Sequence, residues 1–216
     1  MSDATILYYS SNREDSSFEK KIQETILENS GGLPIVSVTQ KPIKFGHNIC
    51  VGDRGASGFN MIRQILLGCE ATDSRYIISS ESDCLYPPDY FQFRPERDDV
   101  CYRNTNTYII GNRRDYYWKK NEGGTWSQVI NRELYIKRLK HLLEGEPMWD
   151  ADRKNFPKEK GMSFFESFES FTTENPCISF KAPGGMRHYS HSERIPIYNL
   201  PYWGNSKSLR KKYLCN

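Results

Sequence analysis

The chain has 216 residues and a net charge of +3, so it is long enough for one domain and lacks the strong positive charge of a protein that coats nucleic acid. Hydrophobic residues make up only 37% of it, but 14 Tyr, 11 Phe and 4 Trp supply large apolar surfaces for a core. The six cysteines contain no C-x-x-C pair, which argues against a zinc ribbon and against a disulfide-rich secreted scaffold.

The sequence shows no targeting segment. It begins MSDATILYYSSN, without a basic and apolar leader, and no stretch of about 18 apolar residues occurs. We therefore expect reduced thiols, no signal peptide, no transmembrane segment and a cytoplasmic location.

Strand-like and helix-like patterns alternate through the first third. Residues 5–9 are an apolar run rich in β-formers and predict a buried strand. Ser16 and Glu19 have the spacing of a capping box, which predicts a helix that begins there and ends within 29–32. Residues 33–38 predict the second strand.

The alternation continues as far as residue 83. Residues 42–52, with Pro42, Gly46 and Gly52, read as a loop, and residues 55–58 open a second helix. Residues 76–78 predict the third strand. This β-α-β-α-β order predicts a parallel sheet with helices on both faces and a ligand site at the carboxyl ends of its strands.

The second half is less regular. Residues 100–112 predict one or two strands, and apolar residues from Trp126 to Leu143 predict a helix that ends near Gly145. Residues 146–187 are rich in charge, Pro, Gly and Phe and receive no assignment. No linker divides the chain.

A basic cluster lies late in the sequence, formed by Lys207, Arg210, Lys211 and Lys212. Such a cluster could meet phosphates, including those of nucleic acid, or acidic lipid. A solvated, partly frayed tail is the more common outcome, and this is what we expect here.

The sharpest local feature is a pair of carboxylates, Glu81 and Asp83, directly after the third strand. Paired carboxylates at a strand end attract Mg²⁺ or Mn²⁺, which favour oxygen ligands and can also hold phosphate oxygens. The ordinary alternative is that these side chains only cap a turn.

Several motifs around this pair occur together. Arg54-Gly-Ala-Ser-Gly-Phe-Asn60 precedes a helix, and the third strand with Glu81-Ser82-Asp83 is followed by Pro87-Pro88 and Tyr90-Phe91. Over about residues 4–91 this resembles the family-2-like GT-A glycosyltransferases, with E-x-D in place of their D-x-D. The resemblance implies one α/β domain over 1–216, with a GT-A-like (Rossmann-like), mainly parallel sheet flanked by helices and an irregular C-terminal part. Residues 1–98 would form the nucleotide-sugar-binding half, and 99–216 the acceptor-side half with a closing segment.

The resemblance also implies roles for individual residues. Asp83 would bind Mn²⁺ or Mg²⁺, and Glu81 would assist it and contact ribose or sugar. A late histidine, His191 or failing that His188, would complete the metal site. The residues implied to contact the nucleotide-sugar are Tyr9, Ser10, Ser11, Arg13, Arg54, Glu81 and Ser82.

The acceptor side is implied by weaker patterns. Gly123, Gly124 and Trp126 resemble the family's acceptor loop, although a simple turn beside a core Trp explains them equally well. An inverting transferase needs a carboxylate base. Its candidates here are Asp150, Asp152, Glu166 and Glu169, and the family's arrangement favours Asp150 or Asp152.

These observations predict a metal-dependent transferase that moves a sugar from a nucleotide-sugar, with UDP as the expected nucleotide, to a hydroxyl of a glycan or a modified nucleic-acid base. One rival is a nucleotidyltransferase, but residues 10–17 lack the Gly-rich phosphate loop that it would carry. Another is a non-catalytic carbohydrate- or nucleic-acid-binding module with the same fold. Dinucleotide and P-loop signatures do not occur.

Overall fold

The computed structural model describes residues 3–111, 114–120, 123–153, 156, 168–181 and 195–214. Its helices are α1 (Ser16–Asn29), α2 (Gly58–Glu70), α3 (Pro88–Gln92), α4 (Arg132–Leu143) and α5 (Ser206–Leu214), and a 3-10 turn spans Thr125–Ser127. Its strands are β1 (Ala4–Ser10), β2 (Ile35–Thr39), β3 (His47–Cys50), β4 (Tyr76–Glu81), β5 (Cys84–Leu85), β6 (Cys101–Asn104), β7 (Thr107–Gly111), β8 (Tyr117–Lys119), β9 (Gln128–Asn131), β10 (Phe168–Phe171), β11 (Cys177–Lys181), β12 (Asn199–Leu200) and β13 (Gly204–Asn205). In these ranges, no helix is long and apolar enough to cross a membrane.

A seven-stranded sheet in the order β10-β6-β9-β4-β1-β2-β3 forms the centre of the molecule. All of its strands run parallel except β9, which pairs antiparallel with both β4 and β6. A second sheet has the order β5-β11-β7-β8. The predicted mainly parallel α/β sheet is therefore confirmed, and the carboxyl ends of β1, β2, β4 and β6 lie along one edge.

Two hydrophobic cores cover the two faces of the central sheet, and every residue of β1 is buried between them. Ile6 and Tyr8 belong to the core that contains α1 and the second sheet. Leu7 and Tyr9 belong to the core under α2 and α4. Successive residues of a strand point to opposite faces, so a fully apolar strand is stable only when both faces are covered.

The start of α1 differs from the predicted capping box. Asp15 is the N-cap, and its Oδ1 accepts hydrogen bonds from the backbone N–H groups of Ser17 and Phe18, at 2.9 and 3.1 Å. Glu19 is 4% exposed and points into the protein. The capping-box prediction is wrong because Asp15 takes the capping role one residue earlier, and Glu19 is bound elsewhere.

The helix predicted from Trp126 is also wrong at its start. Residues 128–131 form β9, the one antiparallel strand of the central sheet, and α4 begins only at Arg132. The side chain of Asn131 caps α4 by accepting from the N–H groups of Glu133 and Leu134. Val129 and Ile130 are buried on both sides, so their apolar spacing fits a short central strand as well as a helix.

Two further segments are more regular than predicted. Residues 47–50, within the predicted loop 42–52, form the edge strand β3. The basic tail is a helix, α5, whose Leu209 and Tyr213 are buried. The Tyr213 hydroxyl lies 2.6 Å from the Thr25 hydroxyl on α1, so the expectation of a frayed tail is wrong over residues 206–214.

We predict that Asp15→Ala lowers the thermal unfolding midpoint at pH 7, whereas Ser16→Ala leaves it nearly unchanged. Hydrogen bonds from Ser17 and Phe18 lower the pKa of Asp15. A carboxylate with a lowered folded-state pKa contributes stability that is present at neutral pH and is lost as the pH falls through that pKa. The difference between wild type and Asp15→Ala should therefore shrink below about pH 4. Equal losses in the two variants would contradict this capping assignment.

Candidate functional site

Three potential metal ligands meet at the carboxyl end of β4. Glu81 ends β4, Asp83 lies in the turn that follows, and Cys84 begins β5. One carboxylate oxygen of Glu81, one of Asp83 and the sulfur of Cys84 all lie within 4.8 Å of one another. Both carboxylates are half-buried and the thiol is buried. Solvent can therefore reach the cluster at its carboxylates but not at its sulfur.

Glu81 is held from both sides. It pairs in register with Tyr9 across the parallel β1–β4 ladder, and the Tyr9 hydroxyl donates a 3.0 Å hydrogen bond to its Oε1. Its backbone N–H donates to the Tyr86 hydroxyl at 2.9 Å, and that hydroxyl donates to the Trp126 carbonyl at 2.8 Å. Tyr9 is only 4% exposed, so it supports the Glu81 carboxylate from inside the protein.

Asp83 is oriented by the second sheet. The N–H of Phe180 on β11 donates to the Asp83 carbonyl at 2.8 Å, and Cys84 pairs with Ser179 on the same strand. The Cys84 thiol donates to Asp83 Oδ1 at 3.3 Å. Burial raises the pKa of this thiol well above its usual range, so Cys84 is a neutral donor toward Asp83.

The site concentrates negative charge. Burial, followed by the charge of Asp83, raises the pKa of Glu81, and burial raises the pKa of Asp83. Burial and the charge of Asp83 also raise the pKa of Glu14, which follows β1. Neighbouring carboxyls whose pKa values all rise are ones that a cation would stabilise in the ionised form. Their oxygens suit a hard divalent ion such as Mg²⁺ or Mn²⁺, so the residues present fit the predicted metal.

The loop after β1 is built around Glu19. The Ser10 hydroxyl donates to Glu19 at 2.9 Å, and the Asn12 amide nitrogen donates to the same carboxylate at 3.0 Å. Asn12 adopts a positive φ of 52°, and its Oδ1 accepts from the N–H groups of Gln40 and Lys41, both at 2.9 Å. The hydrogen bonds of Asn12 therefore fix the loop after β1 to the residues that follow β2.

The predicted nucleotide contacts of this loop differ in exposure. Ser10 is buried and engaged with Glu19, Ser11 is half-buried, and Arg13 is exposed. Sequence reasoning missed Glu19 and Asn12 as the residues that shape the loop. The positive φ of Asn12 follows from the readiness of Asn to adopt left-handed backbone, which is the only sequence signal for it.

The turn that contains Arg54 is fastened to the segment after α4. Asn60 accepts from the Asp150 N–H through its Oδ1 at 2.8 Å, and the Ser57 hydroxyl donates to the Asp150 carbonyl at 2.6 Å. Arg54 is exposed, and its guanidinium carbon lies 5.4 Å from the centre of the Trp149 ring. The structure therefore brings two predicted site regions, at residues 54 and 150, into contact.

The predicted bases fall in different surroundings. Asp150 Oδ1 accepts from the N–H groups of Asp152 and Arg153, both at 3.1 Å, so this carboxylate shapes its own turn. Asp152 is exposed. Glu169 forms a 2.8 Å ion pair with Arg97. The described residues do not include Glu166, which is another candidate base, or the candidate metal ligands His188 and His191.

The sequence did not single out Lys120 as a residue of this region. Lys120 follows β8, and its Nζ lies 5.8 Å from the centre of the Trp126 ring. A Cβ on Gly124 would lie 2.6 Å from this Nζ and 2.3 Å from Trp126 Nε1, so the close approach requires glycine. Trp126 itself is buried in the core, and its Nε1 is a buried donor without a hydrogen-bond partner.

Comparison with known proteins supports the fold and goes no further. No protein-family model and no curated protein matches the sequence. Among solved structures, S. aureus TarS 1–349 in complex with UDP-GlcNAc matches with a TM-score of 0.51 and 7% identity over 85% of this chain and 60% of that one. The Pyrobaculum calidifontis mannosyltransferase PcManGT, in complex with GDP-Man and Mn²⁺, matches with 0.50 and 12% over 85% and 58%.

The chain thus spans about three fifths of the length of these two structures. The match with the inositol-1-phosphate CTP transferase from T. maritima covers 86% of this chain and 91% of that one, with 10% identity and a TM-score of 0.48. At such identities the likeness concerns architecture alone. The fold is a mixed α/β fold with a mostly parallel sheet flanked by helices, like that of the GT-A-type glycosyltransferases.

We predict that Tyr9→Phe weakens Mn²⁺ binding by about tenfold or more, because Glu81 loses the hydroxyl that orients it. One hydrogen bond to a charged group contributes about 1.5–3 kcal/mol, and about 1.4 kcal/mol is a factor of ten in affinity. Mn²⁺ binding is followed by electron paramagnetic resonance. The matched control is Tyr76→Phe, which removes a hydroxyl bonded to the Pro95 carbonyl at the opposite end of β4. An equal loss in both variants would show a general effect on the sheet instead.

Proposed function

We propose that the chain is a metal-dependent glycosyltransferase that takes a sugar from a nucleotide-sugar. The observation that carries the proposal is the Glu81–Asp83 pair, with oxygens close enough for one divalent ion, at the carboxyl end of β4 in a GT-A-like sheet. Ligands of open α/β sheets bind outside the carboxyl ends of the strands. The TarS structure contains UDP-GlcNAc, and the PcManGT structure contains GDP-Man and Mn²⁺. We propose that this chain binds a ligand of the same class, a nucleotide-sugar with a divalent cation.

In this proposal Glu81 and Asp83 hold Mn²⁺ or Mg²⁺, and Ser82 lies between them in the same turn. The ion would offset the negative charge that develops on the departing diphosphate. Arg54 donates to a phosphate or to the sugar, since its exposed guanidinium suits oxyanions. Tyr9 contributes by orienting Glu81.

The loop after β1 would face the nucleoside. Ser11 and Arg13 retain access to solvent and are the better candidates for direct contact. Ser10 shapes the loop through Glu19. UDP is the nucleotide that we propose first, and its identity depends on a screen of donors.

The acceptor would enter beside the segment that follows α4. Asp150 is fixed there by Asn60 and Ser57, and Asp152 is the exposed carboxylate next to it. We propose Asp152 or Asp150 as the base that takes the proton of the acceptor hydroxyl, with Glu166 as a third candidate. The proposed acceptor is a hydroxyl of a glycan or of a modified nucleic-acid base, the latter near the basic helix α5. His188 and His191 stay candidates for completing the metal site.

The central test is incubation with a panel of UDP- and GDP-sugars and Mn²⁺, measuring release of nucleoside diphosphate. We expect release from one donor, and a loss of roughly a hundredfold or more in Asp83→Asn, the range typical of a removed transition-state stabiliser. Asp73→Asn is the matched control, because this exposed Asp precedes β4 at the opposite edge of the sheet. Excess chelator should also abolish release, and Mn²⁺ should restore it.

The outcomes separate the rival functions. Release of pyrophosphate from a nucleoside triphosphate, with no sugar transfer, would identify a nucleotidyltransferase. Donor binding without release, whatever the acceptor, would identify a non-catalytic module. Full activity of Asp83→Asn with an unchanged far-UV spectrum would contradict the assigned role of this carboxylate.

A further inference from the structure

The acidic cluster at the end of β4 has a basic counterpart on the second sheet, formed by Lys120 and Lys181. Lys181 ends β11, one residue after Phe180, whose N–H bonds the Asp83 carbonyl. Side chains two apart on a strand point the same way, so Lys181 lies on the same side as Ser179. Ser179 pairs with Cys84, which belongs to the acidic cluster. The register of β5 with β11 therefore places Lys181 on the side of the sheet that faces the acidic cluster.

Lys120 reaches the same cluster from β8. Its backbone N–H donates to the Thr107 carbonyl at 2.9 Å, which extends the β7–β8 pairing. Lys120 is half-buried, and its Nζ lies 5.8 Å from the centre of the Trp126 ring and close to Gly124. Burial lowers the pKa of Lys120, and the charge of Glu81 opposes that change.

The charges on the two sides act on one another. Burial raises the pKa of both acidic side chains; the charge of Lys181 opposes this at Glu81 and at Asp83, and the charge of Lys120 opposes it at Glu81. Three carboxylates, those of Glu14, Glu81 and Asp83, share the site with the ammonium groups of Lys120 and Lys181. The ammonium groups repel a bare divalent cation, whereas they attract the phosphates of a cation that arrives with a diphosphate.

We propose that Lys120 and Lys181 form the anion-binding half of this site, so that it accepts a divalent cation joined to a diphosphate and disfavours the bare cation. The inference rests on the proposed function, which supplies the diphosphate as the ligand. It concerns the affinity of the site for charged ligands and does not require sugar transfer. The two lysines oppose the cation and attract the phosphates. Removing either one should therefore shift the affinities for the two ligands in opposite directions, which a merely structural role would not do.

The test uses the full chain with two probes. Mn²⁺ alone is titrated by electron paramagnetic resonance, and inorganic pyrophosphate is titrated by calorimetry into the Mn²⁺-saturated protein. For Lys181→Met and for Lys120→Met we expect Mn²⁺ alone to bind about tenfold more tightly and pyrophosphate about tenfold more weakly, the scale of one unit charge at a partly solvated site.

Two controls accompany these variants. Lys181→Arg keeps the charge and should keep both affinities within about twofold, on the scale of a retained charge. Lys119 is the exposed neighbour of Lys120, and its side chain points to the opposite face because side chains alternate along a strand. Lys119→Met should therefore change neither affinity. Far-UV spectra establish that each variant is folded.

The inference is overturned if both ligands weaken together in the folded variants, or if neither affinity changes. It is also overturned if wild type binds Mn²⁺ but no pyrophosphate. A different result would contradict the proposed function alone. In that case the Mn²⁺ and pyrophosphate affinities change as expected in the lysine variants, but the protein turns over no nucleotide-sugar.

Discussion

The hydroxyl of Tyr86 joins parts of the molecule that are distant along the chain. It accepts the Glu81 N–H, where β4 leaves the central sheet, and it donates to the Trp126 carbonyl, directly before β9. Tyr86 is fully buried and packs against Tyr90 and Phe91. A buried polar group must be hydrogen-bonded, and a partner lost in such a place costs about 1–3 kcal/mol. The end of β4, and with it the direction of the Glu81 side chain, depends on this aromatic anchor.

Much of the architecture of residues 4–81 could be predicted from local patterns. The strands at residues 5–9 and 76–78 are continuous apolar runs bounded by polar residues, as buried parallel strands are. Ligands of such sheets bind outside the carboxyl ends of the strands, and this rule predicts that the carboxylates of Glu81 and Asp83 lie at that edge. That reasoning works because strand, helix and turn are specified by neighbours in sequence.

Other features depend on partners far away in sequence. Residues 128–131 have a spacing that fits a helix, and only pairing with β4 and β6 makes them a strand. Glu19 fits a capping box by spacing, yet the hydroxyl of Ser10 and the amide of Asn12 draw it inward. Lys120 and Lys181 are unremarkable in the sequence, because the ladder that brings them to Glu81 and Asp83 joins β5, β7, β8 and β11.

The pairing of β5 with β11 also bears on when the site can form during synthesis. Asp83 emerges from the ribosome early, but the N–H that fixes its carbonyl belongs to Phe180. Helix α5, whose Tyr213 meets Thr25 on α1, is made later still. Long-range contacts form slowly, and partly built sheets expose open edges until their partners arrive. In a nascent chain that ends before β11, Glu81 already has its Tyr9 and Tyr86 partners, while the Asp83 carbonyl still lacks the N–H that fixes it.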